Sequence, residues 1–166
     1  MRRTFLFGAA VIVVALTFFA IARSAPTGAT DATKTYPTSG WTLHIDAKKH
    51  FPGDRSMVAH HFCRAASGGI TECQIYDSDK PDARLVATEV IVPAAMWKTF
   101  PASEKKLWHY HRREIPRVDA VLPDMSKAEA AKVASSLMET YGKVYVLWDP
   151  SKQQLPTGMP SVSIVN

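Results

Sequence analysis

Residues 58–77, VAHHFCRAASGGITECQIYD, read as two short strands around a turn. Residues 58–64 and 71–77 are rich in β-branched and aromatic side chains, and Ser67-Gly68-Gly69 between them is turn chemistry. The stretch therefore predicts a β-hairpin at about 57–77. Setting Cys63 opposite Cys73 gives a register that can be checked against its neighbours. Arg64 then faces Glu72, His60 faces Tyr76 and His61 faces Ile75, pairs of opposite charge or matched bulk that stabilise adjacent strands. Side chains alternate along a strand, so His61, Cys63, Cys73 and Ile75 share one side, and His60, Phe62, Gln74 and Tyr76 share the other.

Three readings of Cys63 and Cys73 stand side by side. Two cysteines facing each other in an oxidising compartment form a disulfide. Two reduced, buried thiols act as small apolar side chains. A thiolate metal site is the third reading, although structural zinc takes four ligands and this spacing matches no tight-turn knuckle.

The histidines pose a separate question. His60-His61 is one compact pair, and His109 and His111 in Trp108-His109-Tyr110-His111 are another. Residues two apart share a face on a strand but diverge on a helix. His109 and His111 thus cooperate only if the helix predicted just before them has ended. Neutral imidazoles bind zinc, copper, iron or nickel, and His61 or His60 with His109 and His111 would make a divalent-metal site with an open position. Glu89, Glu114 or Asp77 would orient a ring from behind. The alternative is a set of partly buried histidines bonded to backbone or to Tyr76 and Tyr110. At most one of His60 and His61 can join His109 and His111, because the two point to opposite sides of the hairpin.

Outward from the hairpin, residues 83–92, ARLVATEVIV, predict a third strand ending at Pro93. Ser103 reads as the N-cap of a helix carrying Leu107 and Trp108 toward the core. Ser126-Lys127-Ala128-Glu129 is a capping box. Ala130, Val133, Ala134, Leu137, Met138 and Tyr141 then follow helical spacing, and Gly142 reads as its left-handed stop, giving one long helix at about 127–141. Residues 143–148 and 162–165 predict two further strands. Strands, one long helix and more strands describe an α+β domain with a mostly antiparallel sheet.

The N-terminus reads as an export signal. Met1-Arg2-Arg3 is basic, Leu6 to Ala22 is apolar, and small residues near Ala22 and Ser24 suit cleavage. The division is a signal peptide at 1–24, a flexible linker at 25–40 and one domain at 41–166, placed in the periplasm or secreted. An uncleaved membrane anchor is the alternative. Lipid anchoring is excluded because no cysteine precedes Cys63. Removing Arg2, Arg3 and Arg23 with no acid lowers the net charge from +5 to +2, which excludes a nucleic-acid footprint. No Gly-x-Ser-x-Gly elbow and no phosphate-cradling glycine loop occurs.

Several stretches together carry a resemblance: His60-His61-Phe62-Cys63, residues 72–79, residues 83–86 with Glu89, Ile91 and Val92, and residues 104–111. Tyr141-Gly142-Lys143, Trp148, and Leu155-Pro156 with Gly158 and Pro160 continue it. In this order the chain resembles the oil body-associated protein family from Trp41 to the C-terminus. It departs from that pattern in its export signal, in the stretch from His109 to Tyr141, and in an abbreviated segment after Trp148. The resemblance implies an affinity for a lipid surface or a small apolar ligand and brings no established reaction. The primary expectation is a non-enzymatic, exported binding domain with an apolar patch near Trp97, Phe100 and Trp108. The alternative is a histidine-centred metal-binding protein, and the sequence leaves open whether it is an enzyme.

Overall fold

A computed structural model describes residues 40–163 apart from 49 and 52. The export segment, all of the linker but Gly40, and the end of the last predicted strand lie outside the described residues. Seven strands build one antiparallel sheet: β1 Leu43–Ala47, β2 Ala59–Ala65, β3 Thr71–Tyr76, β4 Leu85–Pro93, β5 His109–Tyr110, β6 Thr140–Val146 and β7 Ser161–Ser163. The order is β1-β2-β3-β4-β6-β5, with β7 beside β5 on the outer edge of β6. Among the described residues four α-helices accompany it: α1 Ala94–Lys98, α2 Ala102–Lys105, α3 His111–Glu114 and α4 Lys127–Leu137. This is the α+β class that the pattern implies.

The hairpin has the predicted register, with Cys63 opposite Cys73, His61 opposite Ile75 and Arg64 opposite Glu72. Cys63 and Cys73 are joined as a disulfide, and Arg64 bonds Glu72 at 2.9 Å. Gly68 and Gly69, both at φ 75°, supply the left-handed turn between the strands.

The register divides the sheet into two faces. The near face carries His61, Cys63, Cys73, Ile75, Ala87, Glu89, Ile91 and Val144. Leu137 of α4 packs on the disulfide and Ile91 there. The far face carries Phe62, Tyr76, Tyr141 and Lys143, with Trp97 of α1 stacked on Tyr141 at 4.0 Å and Lys143 Nζ donating to Glu104 of α2 at 2.7 Å.

Three local expectations are corrected. Ser103 is not an N-cap: Pro101, with extended backbone, takes the capping position without a side-chain cap, and Ser103 lies inside α2, which starts at Ala102. That helix ends before His109, as the pairing of His109 with His111 requires. The capping box at Ser126 and Glu129 is present, but α4 ends at Leu137, not at Tyr141. Gly142 is no helix stop. It lies inside β6, opposite Ile91 on one side and His109 on the other, so long-range pairing overrides the helical spacing of Tyr141.

The predicted apolar patch is also differently organised. Trp97 and Tyr110 both stack on Tyr141, and Phe100 packs against Trp108. Trp108 Nε1 donates to Glu104 at 2.8 Å. These rings pack on one another across the far face. Among the described residues no helix is long and apolar enough to cross a membrane.

Candidate functional site

Two strands and one helical turn bring four side chains to one point on the near face. Glu89 projects from the middle of β4, and His109 from β5 at the position paired with Gly142. His111 and Glu114 are the first and last residues of α3, whose single turn puts both on one side. All four are buried. Gly142 makes the approach feasible, because a Cβ there would collide with Glu89 Oε1 and His109 Nε2. Its place in β6 is therefore tied to the site, and Gly weakens a strand interior unless such a close approach needs it.

The donor atoms form a nearly equilateral triangle. His109 Nε2 lies 3.1 Å from Glu89 Oε1 and 3.2 Å from His111 Nε2, and His111 Nε2 lies 3.3 Å from Glu89 Oε1. Glu114 Oε2 adds a fourth oxygen, 2.8 Å from His109 Nε2 and 3.8 Å from His111 Nε2. With metal–ligand bonds of about 2.1 Å, donor–donor separations are about 3.0 Å for adjacent octahedral ligands and about 3.4 Å for tetrahedral ones. The triangle falls between these values.

Hydrogen-bond bookkeeping fixes the role of His111. The Thr140 hydroxyl donates to Leu137 O at 2.6 Å, so its oxygen accepts from His111 Nδ1 at 2.7 Å. In the neutral ring the lone pair is then on Nε2, aimed at the cluster. His109 Nε2 meanwhile faces Glu89, Glu114 and His111 with a single N–H, which cannot serve three acceptors. His109 Nδ1 is buried and has no partner among the described residues, so His111 is the braced ring of the two.

The electrostatics agree with a site built for positive charge. Burial works against the His109 cation, but Glu114 and Glu89 outweigh it and push His109 up to about 10. Burial would raise Glu89, and its bonds to His109 and His111 reverse this and hold it well below the usual carboxylate range. Glu114 is lowered in the same way, with His109 overcoming burial. A proton on His109 and a metal ion compete for one anionic pocket.

Of the residues singled out from sequence, the structure brings Glu89, Glu114, His109 and His111 together. His61 lines the same cavity without belonging to the triangle. Its Nδ1 sits 3.0 Å from Ala59 O and 3.1 Å from Ile45 O, and burial lowers it to about 4, so the ring is neutral. His60 is on the far face beside Asp46, and Asp77 is paired with Arg84. Sequence reasoning missed His50, whose Nδ1 reaches Lys48 O at 3.2 Å and whose Nε2 lies 3.5 Å from Glu114 Oε1. It also missed the Thr140 brace; neither residue lies in a motif that announces it.

The cavity beside the triangle is about 50 Å³ and its walls include Ile45, Ile91, Val118, Leu122 and Leu137. That is room for a few waters, whereas a typical small-molecule pocket is about 300–1,000 Å³.

Residues 36–165 match the family described as "Protein of unknown function (DUF1264)". Oil body-associated protein 1B of Arabidopsis thaliana is 37% identical over 117 residues, covering 68% of this chain and 48% of that protein. Oil body-associated protein 1A of Zea mays is 32% identical over 132 residues, 78% of this chain and 56% of that protein. Oil body-associated protein 2C of Arabidopsis thaliana is 27% identical over 138 residues, 81% and 58% respectively. The chain spans about half the length of these curated relatives. No solved structure matches it. The chain belongs to the DUF1264 family and is a homologue of the oil body-associated proteins.

Proposed function

We propose that this protein binds a divalent first-row transition metal through Glu89, His109 and His111, with Glu114 as a further ligand or as the base beside it. The observation that carries this is the buried triangle of 3.1, 3.2 and 3.3 Å with Glu114 Oε2 beside it, in which the one His109 N–H faces three acceptors. Two imidazoles and a carboxylate on one face of an ion leave its other positions open. The cavity lined by Ile91 and Leu137 adjoins Glu89 and His111 and has room for water or a small polar group in an apolar setting. In such a setting a bound ion lowers the pKa of its water and polarises an oxygen ligand.

The printed names of the relatives point to lipid bodies. The cavity beside the triangle, about 50 Å³, is too small for an acyl chain, so the proposal for this site is a metal ion and not a lipid tail. Export remains our reading of the N-terminal pattern. A disulfide between Cys63 and Cys73 is the expected state in an oxidising compartment.

Elemental analysis of the purified protein, after dialysis against Zn²⁺ or Mn²⁺ and removal of loose ions, tests the proposal. The parent protein should retain an equivalent at the triangle, and the metal content of His109→Ala/His111→Ala should be lower by that one equivalent. Because those side chains are buried, Glu89→Gln serves as a shape-conserving second variant and should weaken binding at least ~10-fold. Retention of the full metal content by both variants would remove this reading.

A further inference from the structure

The far face of the hairpin carries a second cluster that the triangle does not use. His44 and Asp46 are two apart on β1, and His60 is directly opposite Asp46 on β2. We propose that His44 Nε2, Asp46 Oδ1 and His60 Nδ1 form a separate zinc-type site, on the face of the sheet away from the cavity.

The geometry carries this on its own. Asp46 Oδ1 lies 3.0 Å from His44 Nε2 and 2.6 Å from His60 Nδ1, and one donor atom from each residue lies within 4.8 Å of the others. Despite these short separations, all three atoms are buried and none has a hydrogen bond among the described residues. Ligands of one ion also sit close together without hydrogen bonds between them, since their lone pairs converge on a shared point and not on each other. His44 is 7% exposed, while the Asp46 and His60 side chains are 21% and 13% exposed, so the cluster lies just beneath the surface.

The surroundings brace that nitrogen. Asp124 Oδ2 lies 3.0 Å from His44 Nδ1, and accepting its proton places the lone pair on Nε2, a carboxylate–histidine–metal relay. Asp124 arrives there because the chain before it pairs with β1: Asp46 N–H donates to Val121 O and Val121 N–H to Asp46 O, both at 2.9 Å. Phe62 stacks on the His44 ring at 4.4 Å and fixes its plane. Two imidazoles and one carboxylate fit a borderline divalent ion of the zinc type, whose fourth position a water would fill. His60 and His61, adjacent in the chain, then serve opposite faces.

Zn²⁺ titration of the full chain against a chromophoric chelator tests this, with circular dichroism checking the fold of each variant. The His109→Ala/His111→Ala variant should still bind one equivalent. Asp46→Asn or His60→Gln, made with the triangle intact, should lower the parent from two equivalents to one. Asp124→Asn should weaken the second equivalent ~10-fold or more. If the parent binds one equivalent that Asp46→Asn abolishes, this site stands and the triangle reading falls. If the parent binds one that Asp46→Asn leaves intact, or binds none, the second site is overturned.

Discussion

His60 and His61 are consecutive, yet they face two unlike environments. On the near face, buried donors come from β4, β5 and α3, segments far apart in the chain, and the site depends on their docking. On the far face, the donors come from paired positions of β1 and β2, with Asp46 and His60 more open to solvent. Local pairing suffices to assemble the second cluster, while the first exists only once the sheet is complete. Disturbing the fold should therefore damage the near-face site first.

The largest expected effect is at the crowded glycine. Gly142→Ala puts a methyl group against Glu89 and His109, which should abolish binding at the triangle and cost about 1–3 kcal/mol of stability. The far-face equivalent should persist in the folded fraction. Metal titration with chemical denaturation measures both, and an unaltered triangle in this variant would break the contrast.

Acid sharpens it next. His61 is neutral and buried, lowered from 6.5 to about 4 chiefly by burial. The unfolded chain therefore takes up this proton before the folded one does. Stability contributed by neutral His61 is complete above pH 6.5 and is lost as pH falls toward 4, by roughly 3 kcal/mol. His109 has the opposite sign: raised to about 10, its contribution is complete below pH 6.5 and is lost as pH rises through 10. Denaturation of chelator-treated protein across this range should show both limbs, and His61→Phe should flatten the acid one.

The staple comes third. Replacing both Cys63 and Cys73 by Ala reopens a loop of sequence separation 10 and should cost about 2–3 kcal/mol, read by denaturant midpoint, with metal content unchanged. The smallest effect falls on the brace. Thr140→Val leaves the His111 Nδ1–H without its acceptor and should weaken metal at the triangle ~10-fold, with no effect on the far-face equivalent.

The hairpin was legible in the sequence because strand period and cross-strand pairs both act over a few residues. Cys63, Cys73, Arg64 and Glu72 agree on one register. Glu89, His109 and His111 were legible as chemistry but not as a triangle, since their meeting depends on the order β4-β6-β5, which no local pattern encodes. Gly142 was misread because the helical spacing of Ala130 to Met138 continues by coincidence to Tyr141, where pairing with Val92 and Tyr110 takes over. β1 escaped notice for a related reason. Its alternation Leu43-His44-Ile45-Asp46-Ala47 is apolar on the near side only, and His44 and Asp46 occupy the other side as candidate ligands, where a local rule gives way to a site.

The most direct measurement is an anomalous-difference map at the zinc edge, from crystals of the Asp46→Asn protein grown with Zn²⁺. The account predicts a peak about 2.1 Å from His109 Nε2, His111 Nε2 and Glu89 Oε1 together. The three donors refined with hydrogen bonds among themselves or to water, and no peak between them in crystals soaked to saturation, would contradict it.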